Sequence, residues 1–137
     1  MAQLVDSSVF IAFERRKLSL TQLPDVAQDT EAALSSITAS ELLVGVFRSD
    51  SRGRRVPREA FVEGVLDSFP VIPFDVETAR THAALSAPLS TAGTRIDAHD
   101  LIIAATALTF GYGVLTENLR DFERVPGLIV RRLAWPK

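Results

Sequence analysis

Apolar residues change their spacing repeatedly along this chain, and the changes mark out elements. Gln3-Leu4-Val5 is short and β-prone and runs into Asp6-Ser7-Ser8, three residues that favour helix N-caps, so a strand passing into a helix is expected. That helix, Ser8 to Arg16, contains the unbroken run Val9-Phe10-Ile11-Ala12-Phe13. The run covers more of the circumference than the stripe of about 100° that faces a single core, so the helix is either enclosed within the domain or shared with a partner surface. Ala33 to Ile37 reads as a second strand, and Thr38 opens a helix whose Leu42, Leu43, Val46 and Phe47 recur at helical spacing. The basic, glycine-containing stretch Ser49 to Pro57 reads as an interruption. A helix from Arg58 to Ser68 comes next, carrying Phe61, Val62, Val65 and Leu66 and closed by Pro70.

Val71-Ile72 reads as a third short strand, Asp75 to Leu85 as a helix, and Ala87 to Arg95, with Pro88 and Gly93, as a loop. From Asp97 a helix of high propensity runs through Leu101 to Leu108 and stops at Gly111 and Gly113. Val114-Leu115-Thr116 is expected as a fourth strand, Glu117 to Glu123 as a polar turn, and Leu128 to Val130 as a last strand. Strand and helix alternate about four times. Because right-handed crossovers place helices on both faces of a parallel sheet, the pattern predicts an α/β fold: a three-layer α/β/α sandwich around a mostly parallel sheet of four to five strands.

Composition narrows the chemistry. A length of 137 residues suits one domain, 1–137, and 47% hydrophobic with 23% charged residues is enough apolar surface for an ordinary core. With no cysteine, a disulfide, a thiolate metal site and a cysteine nucleophile are excluded, so any metal must sit on oxygen or on His82 and His99, which are not at zinc spacing. Asp6 interrupts the N-terminus before any signal-length apolar run, and no stretch approaches the roughly 18 apolar residues of a membrane span, so a cytoplasmic protein is expected, with no membrane partner. The net charge of -2 is not the basic total usual for a nucleic-acid binder. Yet Arg48, Arg52, Arg54, Arg55 and Arg58 crowd one segment, either as a solvated loop or as a grip on phosphates.

In an open parallel sheet, ligands bind beyond the carboxyl ends of the strands. Asp6 follows the first expected strand, Glu41 lies one turn into the helix after the second, Asp100 begins the helix leading to the fourth, and Asn118 and Asp121 follow that strand. Each also has a structural reading. Thr38-Ala39-Ser40-Glu41 fits a capping box, Asp97 can cap the helix that contains Asp100, and Asp6 and Asn118 can each cap the segment that begins after it. Taken together the acids pose a charge problem, because two carboxylates about 4 Å apart repel by about 4 kcal/mol at an effective dielectric near 20. A cluster must take up protons or bind a cation. Helix N-termini resist protonation, which favours the cation, and an all-oxygen set favours a hard one, Mg²⁺ or Mn²⁺. Such an ion activates water against a phosphodiester. Rival sites lack their residues: GxxxxGK[ST], GxGxxG and GxSxG are all absent, and the two lysines, Lys17 and Lys137, do not follow strands.

Leu4-Val5-Asp6-Ser7-Ser8-Val9, Thr38-Ala39-Ser40-Glu41-Leu42-Leu43-Val44-Gly45, Asp100-Leu101-Ile102-Ile103-Ala104-Ala105 and Thr116-Glu117-Asn118-Leu119-Arg120-Asp121-Phe122 occur in order along the whole chain. With Val125-Pro126-Gly127-Leu128 behind the last of them, this set resembles the four motif blocks of VapC-type PIN-domain toxins. The resemblance implies a PIN-like sandwich and a Mg²⁺-dependent endoribonuclease that leaves a 5′-phosphate on structured RNA, such as transfer or ribosomal RNA, and so inhibits translation and growth. A cognate VapB-type antitoxin and a homodimer are implied as partners. Asp6, Glu41, Asp100 and Asp121 match the family's acidic positions as catalytic residues, with Asp6 and Asp100 as metal ligands. Ser8 and Thr116 match orienting hydroxyls. Asn118 replaces a fourth acid, which favours one ion over two and keeps open a non-catalytic PIN-like module that binds RNA or protein. A PIN nuclease outside any toxin–antitoxin pair is the other alternative.

Overall fold

The computed structural model describes residues 2–23 and 31–135, so Lys137 lies outside it. Five strands, β1 (Gln3–Val5), β2 (Ala32–Ser35), β3 (Val71–Ile72), β4 (Gly113–Leu115) and β5 (Val130–Arg131), form one parallel sheet in the order β3-β2-β1-β4-β5. The chain builds outward from β1 in one direction through β2 and β3, then crosses back to place β4 on the other side of β1. That reversal splays the connections apart at the carboxyl ends of β1 and β4 and leaves a crevice there.

Both faces of the sheet are covered, which explains why its strands read as apolar runs rather than alternating ones. Val5 packs on one side with Val9, Phe10 and Phe13 of α1 (Ser7–Arg15), Leu42 and Val46 of α2 (Ser36–Phe47), and Val62 and Val65 of α3 (Arg52–Ser68). Its neighbour Leu4 points the other way, into Ile103, Ala104 and Ala107 of α5 (Ala98–Phe110) and Phe122 of α6 (Leu119–Phe122). The α4 helix (Val76–Thr91) lies outside α5, tied to it where Thr109 Oγ1 donates to Thr81 Oγ1 at 2.8 Å. Enclosure accounts for most of the apolar run in the first helix: Val9, Phe10 and Phe13 are buried, and Ile11 is left exposed.

Several expected boundaries move. Arg52 to Pro57 are helical, not a loop: Ser51 caps α3 by accepting from the Arg54 N–H at 3.3 Å, and Pro57 falls early in the helix. Ala87 to Thr91 likewise extend α4 through Pro88, and the helix ends only where Gly93 adopts φ 71 and Thr94 N–H reaches back to the Leu89 carbonyl at 2.9 Å. The second strand stops at Ser35, which caps α2 through the Ile37 N–H. Thr38 is therefore inside the helix, and Glu41 cannot be the third residue of a capping box. Part of the turn from Glu117 to Glu123 closes into α6, and the last strand begins at Val130, two residues late.

Gly113 is required where it stands. A Cβ there would lie 2.7 Å from Oε1 of Gln3, a fully buried side chain with little room to turn. Gly113→Ala should cost about 1 kcal/mol by overpacking and lower the melting temperature by roughly 3 to 5 °C. An unchanged thermal melt would show that Gln3 can move aside.

Candidate active site

The crevice beyond β1 and β4 is where the sequence's scattered acids meet. Asp6 leaves β1 with its N–H donating to the Leu115 carbonyl at 2.9 Å, and although it occupies the N-cap position of α1, its side chain makes no cap bond. Its Oδ2 instead accepts from Ser8 Oγ at 2.7 Å and from Thr116 Oγ1 at 2.9 Å, while among the described residues Oδ1 receives no protein donor. The two hydroxyls are themselves fixed. Glu117 N–H donates to Ser8 Oγ at 3.0 Å, and Asn118 N–H donates to Thr116 Oγ1 at 2.9 Å. A carboxylate 4% exposed is thus aimed by four hydrogen bonds from two segments more than a hundred residues apart.

Asp100, in the first turn of α5, accepts from the Asn118 amide at 3.3 Å. Burial pushes its pKa up to about 7, helped by the charges of Asp6, Asp97 and Asp121 and by a hydrogen bond with the Asp121 carboxyl. At this helix N-terminus burial and three like charges outweigh the helix dipole, so the carboxyl does not resist protonation as its position alone would predict. Asp6, Asp100 and Asp121 therefore share one electrostatic pocket. Asp97 has a different task. Its Oδ1 accepts from the N–H groups of His99 at 3.0 Å and Asp100 at 3.3 Å, so it caps α5.

Glu41 stands one step outward. Ser7 Oγ donates to its Oε1 at 3.3 Å, and His99 Nδ1 lies 3.2 Å from its Oε2. It also borders a groove of about 280 Å³ shared with Ile11, Glu14, Gly45 and Arg58. Ser7 and His99 carried no signal in the sequence beyond adjacency to Asp6 and Asp100. The arginine-rich segment lies on the end of α2 and the start of α3, and its Arg58 borders the same groove as Glu41. Arg54 pairs with Asp50 at 3.2 Å, Arg55 lies 3.9 Å from Glu59 and 5.1 Å over the Phe47 ring, and Arg58 pairs with Glu14 at 3.1 Å. Arg48 and Arg52 have no such acid partner among the described residues.

Among the described residues, no three acid or histidine groups stand close enough together to hold a metal ion. The donor set fits a different geometry. Mg²⁺ is commonly held by one or two carboxylates and keeps several waters. A free Asp6 oxygen beside a buried Asp100 repelled by its neighbours could supply oxygen ligands to such an ion.

Comparison with known proteins bears on the same residues. The PIN domain family model matches residues 4–128, from β1 to just before β5. The chain is 40% identical over 130 residues to ribonuclease VapC1 of Rickettsia felis, covering 95% of each protein. It is 37% identical over 95 residues to the tRNA(fMet)-specific endonuclease VapC of Salmonella typhimurium, covering 69% of this chain and 70% of that one. In three dimensions it superposes on a chain of the DNA-bound VapBC crystal structure from Salmonella typhimurium with a TM-score of 0.83 at 28% identity, covering 96% and 98% of the two chains.

Proposed function

The chain belongs to the VapC family of PIN-domain ribonucleases, and on that premise we propose that it is a metal-dependent endoribonuclease, the toxin of a VapBC-type pair. The observation that carries this reading is the gathering of Asp6, Asp100 and Asp121 at the sheet's reversal point, with one Asp6 oxygen occupied by hydroxyls and the other left over. The substrate is structured RNA, transfer or ribosomal, and its cleavage stops translation and growth. The partners are a VapB-type antitoxin and a second copy of this chain. Residues 1–137 form one domain, and it acts in the cytoplasm. Among the described residues no helix is long and apolar enough to cross a membrane.

Asp6 and Asp100 would hold the ion, Mg²⁺ with Mn²⁺ as substitute. Asn118 brings no charge of its own, which suits a single ion. Bound there, the ion would polarise a phosphodiester and lower the pKa of the attacking water. The chain's own residues do the rest. Ser8 and Thr116 hold the Asp6 carboxylate, Asn118 orients Asp100, and Asp121 adds charge behind it. Glu41, held at the rim by Ser7 and His99, is the carboxylate placed to take a proton from water. Arg48 and Arg52 are the arginines most available for RNA phosphates.

Purified protein incubated with total RNA and millimolar Mg²⁺ should give discrete cuts whose downstream fragments carry 5′-phosphates, and EDTA should prevent them. RNA binding without cuts would instead favour the non-catalytic module that Asn118 suggests.

A further inference from the structure

Glu117 lies between two residues of the pocket, yet its side chain serves neither. On the loop leaving β4, Thr116 and Asn118 bond toward Asp6 and Asp100, while Glu117 turns to the C-terminal segment. Its Oε2 accepts from Arg132 Nε at 3.0 Å, and its Oε1 accepts from the Trp135 indole N–H. The carboxylate is largely buried, with 18% of the side chain exposed, so both oxygens are held in one orientation. Trp135 is anchored in turn. Its ring packs on Phe13 with centroids 5.5 Å apart, and the Arg16 guanidinium sits 4.1 Å above it.

The consequence runs through the backbone. Glu117 N–H donates to Ser8 Oγ, the hydroxyl that donates to Asp6 Oδ2, so a displacement of Glu117 is felt at Asp6 through one intervening side chain. On its other side Asn118 carries both the N–H that fixes Thr116 and the amide that reaches Asp100. The Arg132 and Trp135 donors also occupy both Glu117 oxygens, so this acid is turned away from the pocket. We propose that Glu117 is a positioning residue for RNA cleavage: the C-terminal segment, through Trp135 and Arg132, clamps the loop that holds the Asp6 and Asp100 carboxylates in register. This rests on the ribonuclease reading above.

Three variants test it. Trp135→Phe keeps the ring stack on Phe13 and Arg16 but removes the N–H, Glu117→Ala removes the acceptor, and Glu117→Gln keeps shape and one acceptor oxygen. Trp135→Phe and Glu117→Ala should each lower kcat about 10-fold, as loss of an outer partner commonly does, with KM for RNA within about twofold. The double variant should be no worse than Glu117→Ala alone, since Glu117→Ala already removes the Trp135 contact, and Glu117→Gln should recover most of the rate. Independently of cleavage, hydrogen exchange at the Glu117 and Asn118 amides should quicken about 10-fold in the first two variants while β1 and β4 amides keep their protection. Faster exchange with wild-type kcat would overturn the positioning role and leave the ribonuclease reading standing. Unchanged exchange would overturn the clamp itself. A wild-type chain that cuts no RNA would fell the ribonuclease reading, and the positioning role with it.

Discussion

Asp6→Asn should abolish RNA cleavage, lowering kcat by roughly 1000-fold or more, as loss of a group acting within a catalytic unit commonly does, while leaving the fold intact. The two halves of this expectation have separate causes. The substitution is isosteric, and both bonds to Asp6 Oδ2 come from hydroxyls, which can rotate to accept as readily as to donate. The packing around β1 is therefore preserved, and the thermal midpoint should stay within about 2 °C. Charge is what disappears. A unit charge about 4 Å from another contributes about 4 kcal/mol at an effective dielectric near 20, and a divalent ion doubles it, so one lost carboxylate removes much of the pocket's hold on Mg²⁺. Asp97→Asn is the natural control: it removes a neighbouring negative charge, but Asn caps helices as well as Asp, so cleavage should persist within a few fold. Cleavage retained in Asp6→Asn would remove Asp6 from the site, and cleavage lost equally in both variants would point to bulk charge rather than to a ligand.

The contrast between Asp6 and Asp97 also marks the limit of what sequence can reveal. Both are Asp beside a helix start, and cap propensity treats them alike. Strand position and the motif block favour Asp6, and in the structure side-chain direction separates them: Asp97 turns back to the amides of its helix, and Asp6 turns across to a hydroxyl from the far end of the chain. Strand–helix alternation is enough to foresee a parallel sheet with its acids at the carboxyl edge, since that arises from chain connectivity. The reversal between β1 and β4 that opens the crevice depends on strand order, which alternation leaves undetermined.

Two of the misplaced helix boundaries involve a proline. Ser49 to Pro57 and Ala87 to Arg95 read as breaks on their basic, glycine and proline residues, but Pro57 lies in the second turn of α3 and Pro88 in the last turn of α4, and the neighbouring turns carry the helix across each. The same local logic puts Glu41 in a capping box. Ser35 takes that role one turn earlier, freeing Glu41 for Ser7 and His99. Glu117 is invisible as a clamp because its partners lie 15 and 18 residues downstream, a distance no periodicity encodes.

The raised pKa of Asp100 makes the metal detectable without any RNA. Its carboxyl has an ordinary value of 3.8 and a folded value of about 7. The folded chain binds this proton more tightly than the unfolded chain, so in metal-free protein the stability due to Asp100 is greatest below pH 4, falls as pH rises, and is lost above 7. The full shift corresponds to roughly 4 kcal/mol, and water at the mouth of the pocket screens it to about 2 kcal/mol. Asp100→Asn removes the titration. With EDTA the variant should match the wild type near pH 4 and melt about 5 to 10 °C higher at pH 8. Millimolar Mg²⁺ should close most of that gap by binding the ionised wild-type pocket, stabilising it in proportion to the logarithm of ion concentration, and should leave Asp100→Asn nearly unchanged. The variant meant to be more stable is thus also the one expected not to cut RNA. If its advantage were the same at pH 4 and pH 8, or if Mg²⁺ stabilised both proteins alike, Asp100 would be neither the strained carboxylate nor the ligand, and the acids at the crevice would be no more than charges that water tolerates.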